Sequence, residues 1–155
     1  MGMTAEEQTV FKVAEEAERI FGRLMYAGLL DVILGVLVLM SGIPTAVALG
    51  SYWWVALPQI LYGILCMVVG VLAFLGVYRL LFMASIPAMD LTKILAVISL
   101  ILSGVSLIEI IVGGIALNNL TAIVYIIFPI ISIIINYYIA WSINALKEIP
   151  LMLPR

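Results

Sequence analysis

Residues 24–47 read LMYAGLLDVILGVLVLMSGIPTAV, a stretch in which Asp31 is the only charged residue. A helix of about 20 apolar residues is long enough to cross the hydrocarbon core of a bilayer. Three more stretches of this kind follow, at about 52–78, 94–117 and 121–145. The sequence therefore predicts an all-α, polytopic membrane protein, a bundle of four transmembrane helices arranged as two antiparallel hairpins.

The composition agrees with lipid as the solvent of this chain. Hydrophobic residues make up 66% of the 155 residues and charged residues only 10%, too few polar groups to cover a water-soluble globule. We expect one domain with three parts: an N-terminal amphipathic helix over 1–23, the membrane domain over 24–147 and a short C-terminal tail over 148–155. No secretory signal is expected, because five Glu precede the first long apolar run.

The basic residues predict the orientation of the bundle. All seven lie on one side of the four-segment pattern: Lys12, Arg19, Arg23, Arg79, Lys93, Lys147 and Arg155. The two remaining connections, around 42–51 and 118–121, carry no charge. Because Lys and Arg accumulate in cytoplasmic loops, we expect both termini in the cytoplasm and the spans in the cell membrane. Two groups of aromatic residues fit interfacial belts at the predicted boundaries: Tyr52, Trp53 and Trp54 outside, and Tyr26, Tyr78 and Trp141 inside.

The N-terminal segment has the pattern of an amphipathic helix. Thr4 and Glu7 fit a capping box at its start. Its apolar residues fall in one arc at 100° per residue: Val10, Val13, Ala14, Ala17, Ile20, Phe21 and Leu24. Five Glu against three cations disfavour adsorption to anionic lipid. Two interpretations stay open, a helix that packs on its own bundle or runs into the first span, and a helix that docks a partner.

Small residues recur every seven positions in three of the four predicted spans. They are Gly28, Gly35 and Gly42 in the first, Gly63 and Gly70 in the second, and Ser99, Ser106 and Gly113 in the third. In lipid, helices associate where small residues let their backbones approach, and a seven-residue repeat keeps such a stripe facing one neighbour. We expect these residues at helix contacts, with chance spacing as the alternative. The fourth span lacks the stripe and is expected to be more peripheral.

Asp31 and Glu109 are the only ionisable carboxyl groups well inside the predicted spans. A charge at that depth costs about 2.5 to 3.5 kcal/mol on insertion scales, so each acid needs a compensating contact. Counting residues from the interfaces places Gln59, and next Ser132, near the level of Glu109. The same count places these polar residues near Asp31: Ser99, Ser103, Asn136 and Tyr138. The two acids then form either a relay for protons or cations or neutral hydrogen-bonded clamps between helices.

The chain offers little for catalysis. Histidine is absent, and Cys66 is the single cysteine. We therefore expect no catalytic residues, metal site or cofactor. Seven basic residues without interleaved aromatics also predict no nucleic-acid binding.

Two hypotheses for function follow. In the first, the chain is a non-catalytic bundle that packs into a homo-oligomer or is an accessory or structural subunit of a larger membrane complex. In the second, it is a small transporter or channel with Asp31 and Glu109 as proton or cation sites. A wet cavity around the acids would favour the second hypothesis, and a closed hydrogen-bonded contact would favour the first.

Overall fold

A computed structural model describes residues 5–77, 86–116 and 122–149 of the chain. Helix α1 spans Ala5–Leu49, a 3₁₀ segment spans Gly50–Ala56, and α2 spans Leu57–Val77. Helix α3 spans Ile86–Ala116 and α4 spans Ala122–Glu148. No strand occurs within these ranges. The predicted all-α class is confirmed.

Three helical runs are long and apolar enough to cross a membrane. They are the 70-residue run Glu7–Gly76, which includes the 3₁₀ segment, and the helices over Pro87–Gly113 and Tyr125–Glu148. The length and apolar character of these runs are consistent with a location in the membrane. The count of four spans and their arrangement as two hairpins remain predictions.

The N-terminal amphipathic segment continues into the first predicted span without a break. Helix α1 has 45 residues, and at about 1.5 Å per residue it is roughly 68 Å long, about twice the thickness of a bilayer core. Part of its predicted apolar arc is buried in the bundle: Ala17, Ile20, Phe21 and Leu24. Nearer the N-terminus, Val10 and Phe11 are 62% and 63% exposed. The helix therefore packs on its own bundle and also extends beyond it.

The break between α1 and α2 centres on Gly50. Its φ of +53° lies in the left-handed region, which glycine adopts without the steric penalty of a Cβ. Tyr52 also leaves helical geometry, with φ −100° and ψ 19°. Exposed side chains of Tyr52, Trp53 and Trp54 follow in the 3₁₀ segment. These aromatics, predicted as the outer interfacial belt, thus lie between the two helices instead of within the second.

Helix α1 packs most extensively on α2, and α3 on α4. Helix α2 also contacts α3, and α4 contacts α1, whereas α1 and α3 make no contact among the described residues. The four helices therefore surround a common core, with α1 diagonal to α3. Helix α4 contributes buried side chains to this core, among them Ser132, Asn136 and Ile139. Its more peripheral position stays a prediction.

Glycines let α1 and α2 approach closely. A Cβ built on Gly70 would lie 2.5 Å from the carbonyl oxygen of Gly28, and one built on Gly35 would lie 2.6 Å from that of Gly63. Side chains of α2 lie 3.3 Å or more from a Cβ built on Gly42. Residues further along α1 therefore contact residues nearer the start of α2. Backbone contact of this kind accounts for glycine at 28, 35 and 70, whereas a Cβ built on Gly63 would meet the side chains of Val38 and Leu39.

The third predicted stripe contributes in a different way. Ser99 and Ser106 are buried, at 0% and 1% exposure. Gly113 has no heavy atom of the described residues within 4 Å of a Cβ built on it, so it allows no close approach there. The helix contact expected at Gly113 is therefore not met within the described residues.

Two apolar layers form the core. The first lies toward the N-terminal half of α1 and includes Leu24, Ala27, Val69, Ala73, Met89, Ala96, Ile139, Ile143 and Leu146. The second is further along α1 and includes Leu34, Val38, Tyr62 and Cys66. Asp31, a buried polar residue, lies along α1 between Ala27 of the first layer and Leu34 of the second. Several predicted features lie outside the described residues: Thr4 of the capping box, Tyr78 of the inner belt, the connection at 118–121 and the tail from Pro150.

Candidate functional site

Six buried polar side chains from all four helices meet between the apolar layers. They are Asp31 of α1, Cys66 of α2, Ser99 and Ser103 of α3, and Ser132 and Asn136 of α4, each 0% exposed. We call this set the polar cluster. Each member lies on the buried face of its helix, three to five residues from the next buried position, which is the spacing that faces a neighbouring helix.

Asn136 is the central donor of the polar cluster. Its amide nitrogen Nδ2 lies 3.2 Å from Asp31 Oδ1, which joins α4 to α1. The same nitrogen lies 3.0 Å from the Ser132 carbonyl oxygen, 3.3 Å from Ser132 Oγ and 3.6 Å from Cys66 Sγ. An amide nitrogen carries only two hydrogens, so these acceptors share them. Asn136 therefore connects three helices.

A second set of hydrogen bonds involves the serines and Cys66. Ser103 Oγ lies 2.7 Å from Ser132 Oγ and 2.8 Å from the carbonyl oxygen of Ser99. Cys66 Sγ lies 3.2 Å from Ser132 Oγ and 3.4 Å from Ser99 Oγ. Side chains of α2, α3 and α4 are thus in direct contact. Distances this short leave no room for a water-filled passage between these groups.

Three polar atoms in this part of the core have no hydrogen-bond partner among the described residues: Asp31 Oδ2, Asn136 Oδ1 and the hydroxyl of Tyr62. No Lys or Arg of the described residues pairs with Asp31. The ion pair between Asp90 and Lys147 lies on partly exposed surface, where it joins α3 to α4. Asp31 is therefore enclosed by neutral groups, with one of its oxygens satisfied and the other not.

The structure brings together some of the residues expected near Asp31. Asn136 contacts it directly, and Ser99 and Ser103 belong to the same cluster. Tyr138 does not; it packs beside the first apolar layer, with its ring 6.0 Å from that of Trp141. Tyr138 also lines a shallow surface groove between α1 and α4 with Arg23 and Tyr26.

The predicted contacts of Glu109 with Gln59 and Ser132 are wrong. Gln59 Nε2 donates to Ser41 Oγ at 3.0 Å, across the contact of α2 with α1. Ser132 belongs to the polar cluster around Asn136. Glu109 is partly exposed, and no hydrogen bond or ion pair reaches it from the described part of the chain. Asp31 and Glu109 therefore have different surroundings, one enclosed in the core and one at its edge.

Cys66 is the member of the polar cluster that was missing from the predicted site. A lone cysteine within an apolar span looked like an ordinary core residue. Its position midway between Gly63 and Gly70 was the available signal, because those glycines mark the face of α2 that packs on α1. Depth counted along a helix did not reveal that this face also reaches α3 and α4.

The polar cluster forms a hydrogen-bonded contact between helices. Its groups are hydroxyls, one amide, one thiol and one carboxyl, and hydrogen bonds connect them across the bundle. No group of three or more His, Cys, Asp or Glu suited to hold a metal ion occurs in the described ranges.

Comparisons with protein-family models, characterised proteins and solved structures find no match to this chain.

Proposed function

We propose that this chain is a four-span, non-catalytic integral membrane protein that acts as a structural or accessory subunit, packing with copies of itself or with other membrane subunits. Its stable unit is a bundle with both termini in the cytoplasm, arranged as two antiparallel hairpins. Gly50, with the exposed aromatics that follow it, supports an outer turn between the first two spans.

The observation that carries this proposal is the closed polar cluster. Asp31 is fully buried, hydrogen-bonded to Asn136, and enclosed by apolar layers on both sides. A path for ions needs an open passage lined by water or by groups that replace the water around the ion. A set of side chains that bond to one another across four helices instead fixes how those helices pack.

The extension of α1 is the surface that we assign to partner binding. Val10 and Phe11 are exposed on a segment that lies outside the predicted spans. Lys12, Glu15, Glu16 and Arg19 form a charged surface on the same segment. An apolar pair flanked by charges is typical of a helix that docks against another helix.

Transport remains the alternative hypothesis, and Glu109 is the residue that keeps it open. It is an intramembrane acid that no described residue pairs with. An acid of this kind is by default a candidate for proton or cation transfer. A transporter would then need further walls from copies of the chain or from other subunits, since the polar groups near Asp31 are in direct contact with one another.

The mass of the native particle tests the proposal. After extraction in mild detergent, the wild-type chain is expected to run as a complex larger than one protomer. Replacing both Val10 and Phe11 with serine should reduce that mass to one protomer without unfolding the bundle, because neither side chain is buried. Gln8→Ser, an exposed polar change on the same segment, is the matched control and should keep the complex. A wild-type particle with the mass of one protomer would show the proposal to be wrong.

A further inference from the structure

Two orphaned acceptors lie in the pair formed by Asp31 and Asn136. Asn136 Nδ2 donates to Asp31 Oδ1, but Asp31 Oδ2 and Asn136 Oδ1 have no partner within the described ranges, and both residues are 0% exposed. A carboxylate and an amide carbonyl are both acceptors, so neither atom can satisfy the other while Asp31 is ionised. A proton on Asp31 Oδ2 would turn that oxygen into a donor, which is the kind of partner that Asn136 Oδ1 lacks.

Among the residues that the structure describes, none supplies a positive charge to Asp31. From α2 the thiol of Cys66 lies beside the carboxyl, and the hydroxyl of Tyr62 is one turn away on the same helix. From α3 and α4 the neighbouring polar groups are serine hydroxyls and the Asn136 amide. A thiol is a weak donor and does not neutralise a carboxylate. A buried charge without a counterion is strongly disfavoured, and a carboxyl group avoids that penalty by taking up a proton.

We propose that the Asp31–Asn136 pair is a binding site for one proton, with Asp31 neutral and its Oδ2–H donating to Asn136 Oδ1. The two side chains then form a cyclic acid–amide pair with two hydrogen bonds between α1 and α4. A metal cation is the wrong ligand, since it needs several oxygen ligands around an open space, whereas the neighbouring hydroxyls bond to one another at 2.7 Å. The bound proton does not depend on whether the bundle has a partner.

Infrared spectroscopy of the wild-type protein tests this proposal. The chain contains only two aspartates, Asp31 and Asp90, and Asp90 is ion-paired with Lys147. Protein with ¹³C in the aspartate side-chain carboxyl, reconstituted in bilayers at neutral pH, should show a protonated-carboxyl stretching band that moves to lower frequency than in unlabelled protein. A band from Glu109 would not move, because glutamate carries no label.

Two variants assign the band. Asp90→Asn should keep the labelled band, and Asp31→Asn should lose it while keeping the helical content, since an amide at position 31 forms the same two hydrogen bonds with Asn136. The wild-type spectrum decides the matter even if a variant fails to fold. Absence of a label-sensitive protonated band in folded wild-type protein would overturn the proposal, as would a band that disappears when sodium or potassium is added at constant pH.

Discussion

The amide nitrogen of Asn136 lies 3.2 Å from Oδ1 of Asp31, although the two residues are 105 positions apart in the chain. This contact joins the first helix to the last in the middle of the bundle. Both residues are fully buried, so neither can exchange the contact for water. In a protein held together by apolar surfaces of similar character, a polar contact of this kind specifies which helices meet and at what height.

Removing the amide should therefore destabilise the bundle. Asn136→Leu leaves Asp31 without its only side-chain amide donor, and an unsatisfied buried polar group costs about 1 to 3 kcal/mol. The free energy of unfolding in detergent measures the effect. Asn144→Leu, on an exposed position of the same helix, is the control and should change stability by about 0.5 kcal/mol or less. Equal stability of the two variants would show that the Asp31–Asn136 contact contributes nothing.

The glycine contacts of α1 and α2 give a second prediction. Gly70→Ala places a methyl group 2.5 Å from the Gly28 carbonyl oxygen, so the helices must separate. We expect a loss of about 1 to 3 kcal/mol, the range for overpacked sites, measured by thermal or denaturant unfolding.

Two other glycines supply the controls for that experiment. A Cβ at Gly104 or Gly113 meets no described atom within 4 Å. Alanine at either position should leave stability unchanged or raise it by up to about 1 kcal/mol, because alanine favours the helix over glycine. If all three alanine variants behave alike, close backbone approach does not hold α1 and α2 together.

The orientation prediction depends on the basic residues and is tested in intact cells. Ser51→Cys lies on the exposed 3₁₀ segment and should react with a membrane-impermeant thiol reagent added outside. Gln8→Cys, on the exposed N-terminal segment, should react only after the cells are permeabilised. Native Cys66 is fully buried and should stay silent in both experiments. Reaction of Gln8→Cys in intact cells with protection of Ser51→Cys would invert the topology.

Glu109 separates the two functional hypotheses. Glu109→Gln keeps the shape of the side chain and its capacity for hydrogen bonds but cannot exchange a proton near neutral pH. If the chain is a subunit that works by packing, the variant should assemble with the mass and melting temperature of the wild type. Proton flux in liposomes should be no higher with wild-type or variant protein than without protein. Wild-type flux that the variant abolishes would favour transport.

Much of this architecture follows from the order of the residues. The apolar stretches predicted helices of membrane-crossing length, and counting residues from the interfaces placed Asn136 and two serines of α3 near Asp31. Depth along a helix depends only on its rise per residue, which is nearly constant. This regularity explains why the level of Asp31 was predictable and why the glycine stripes of α1 and α2 predicted their contact.

The errors share a physical origin, since equal depth does not place two residues on facing sides. Gln59 lies on the side of α2 that meets α1, where Ser41 supplies its partner, so it does not reach Glu109. Gly113 continues the spacing of Ser99 and Ser106, yet no described residue packs closely against it. The rotation of each helix about its axis is set by all its neighbours together, and one sequence pattern does not contain that information.

The reactivity of the native thiol tests the closed polar cluster most directly. Cys66 is the single cysteine of the chain and lies among the polar groups that a water-filled path would use. In folded wild-type protein it should resist small water-soluble thiol reagents added from either side, while Ser51→Cys reacts rapidly and detergent-unfolded protein reacts fully. Modification of Cys66 in the folded protein at a rate close to that of the exposed cysteine would show that water reaches the cluster, and would contradict a bundle held closed by these contacts.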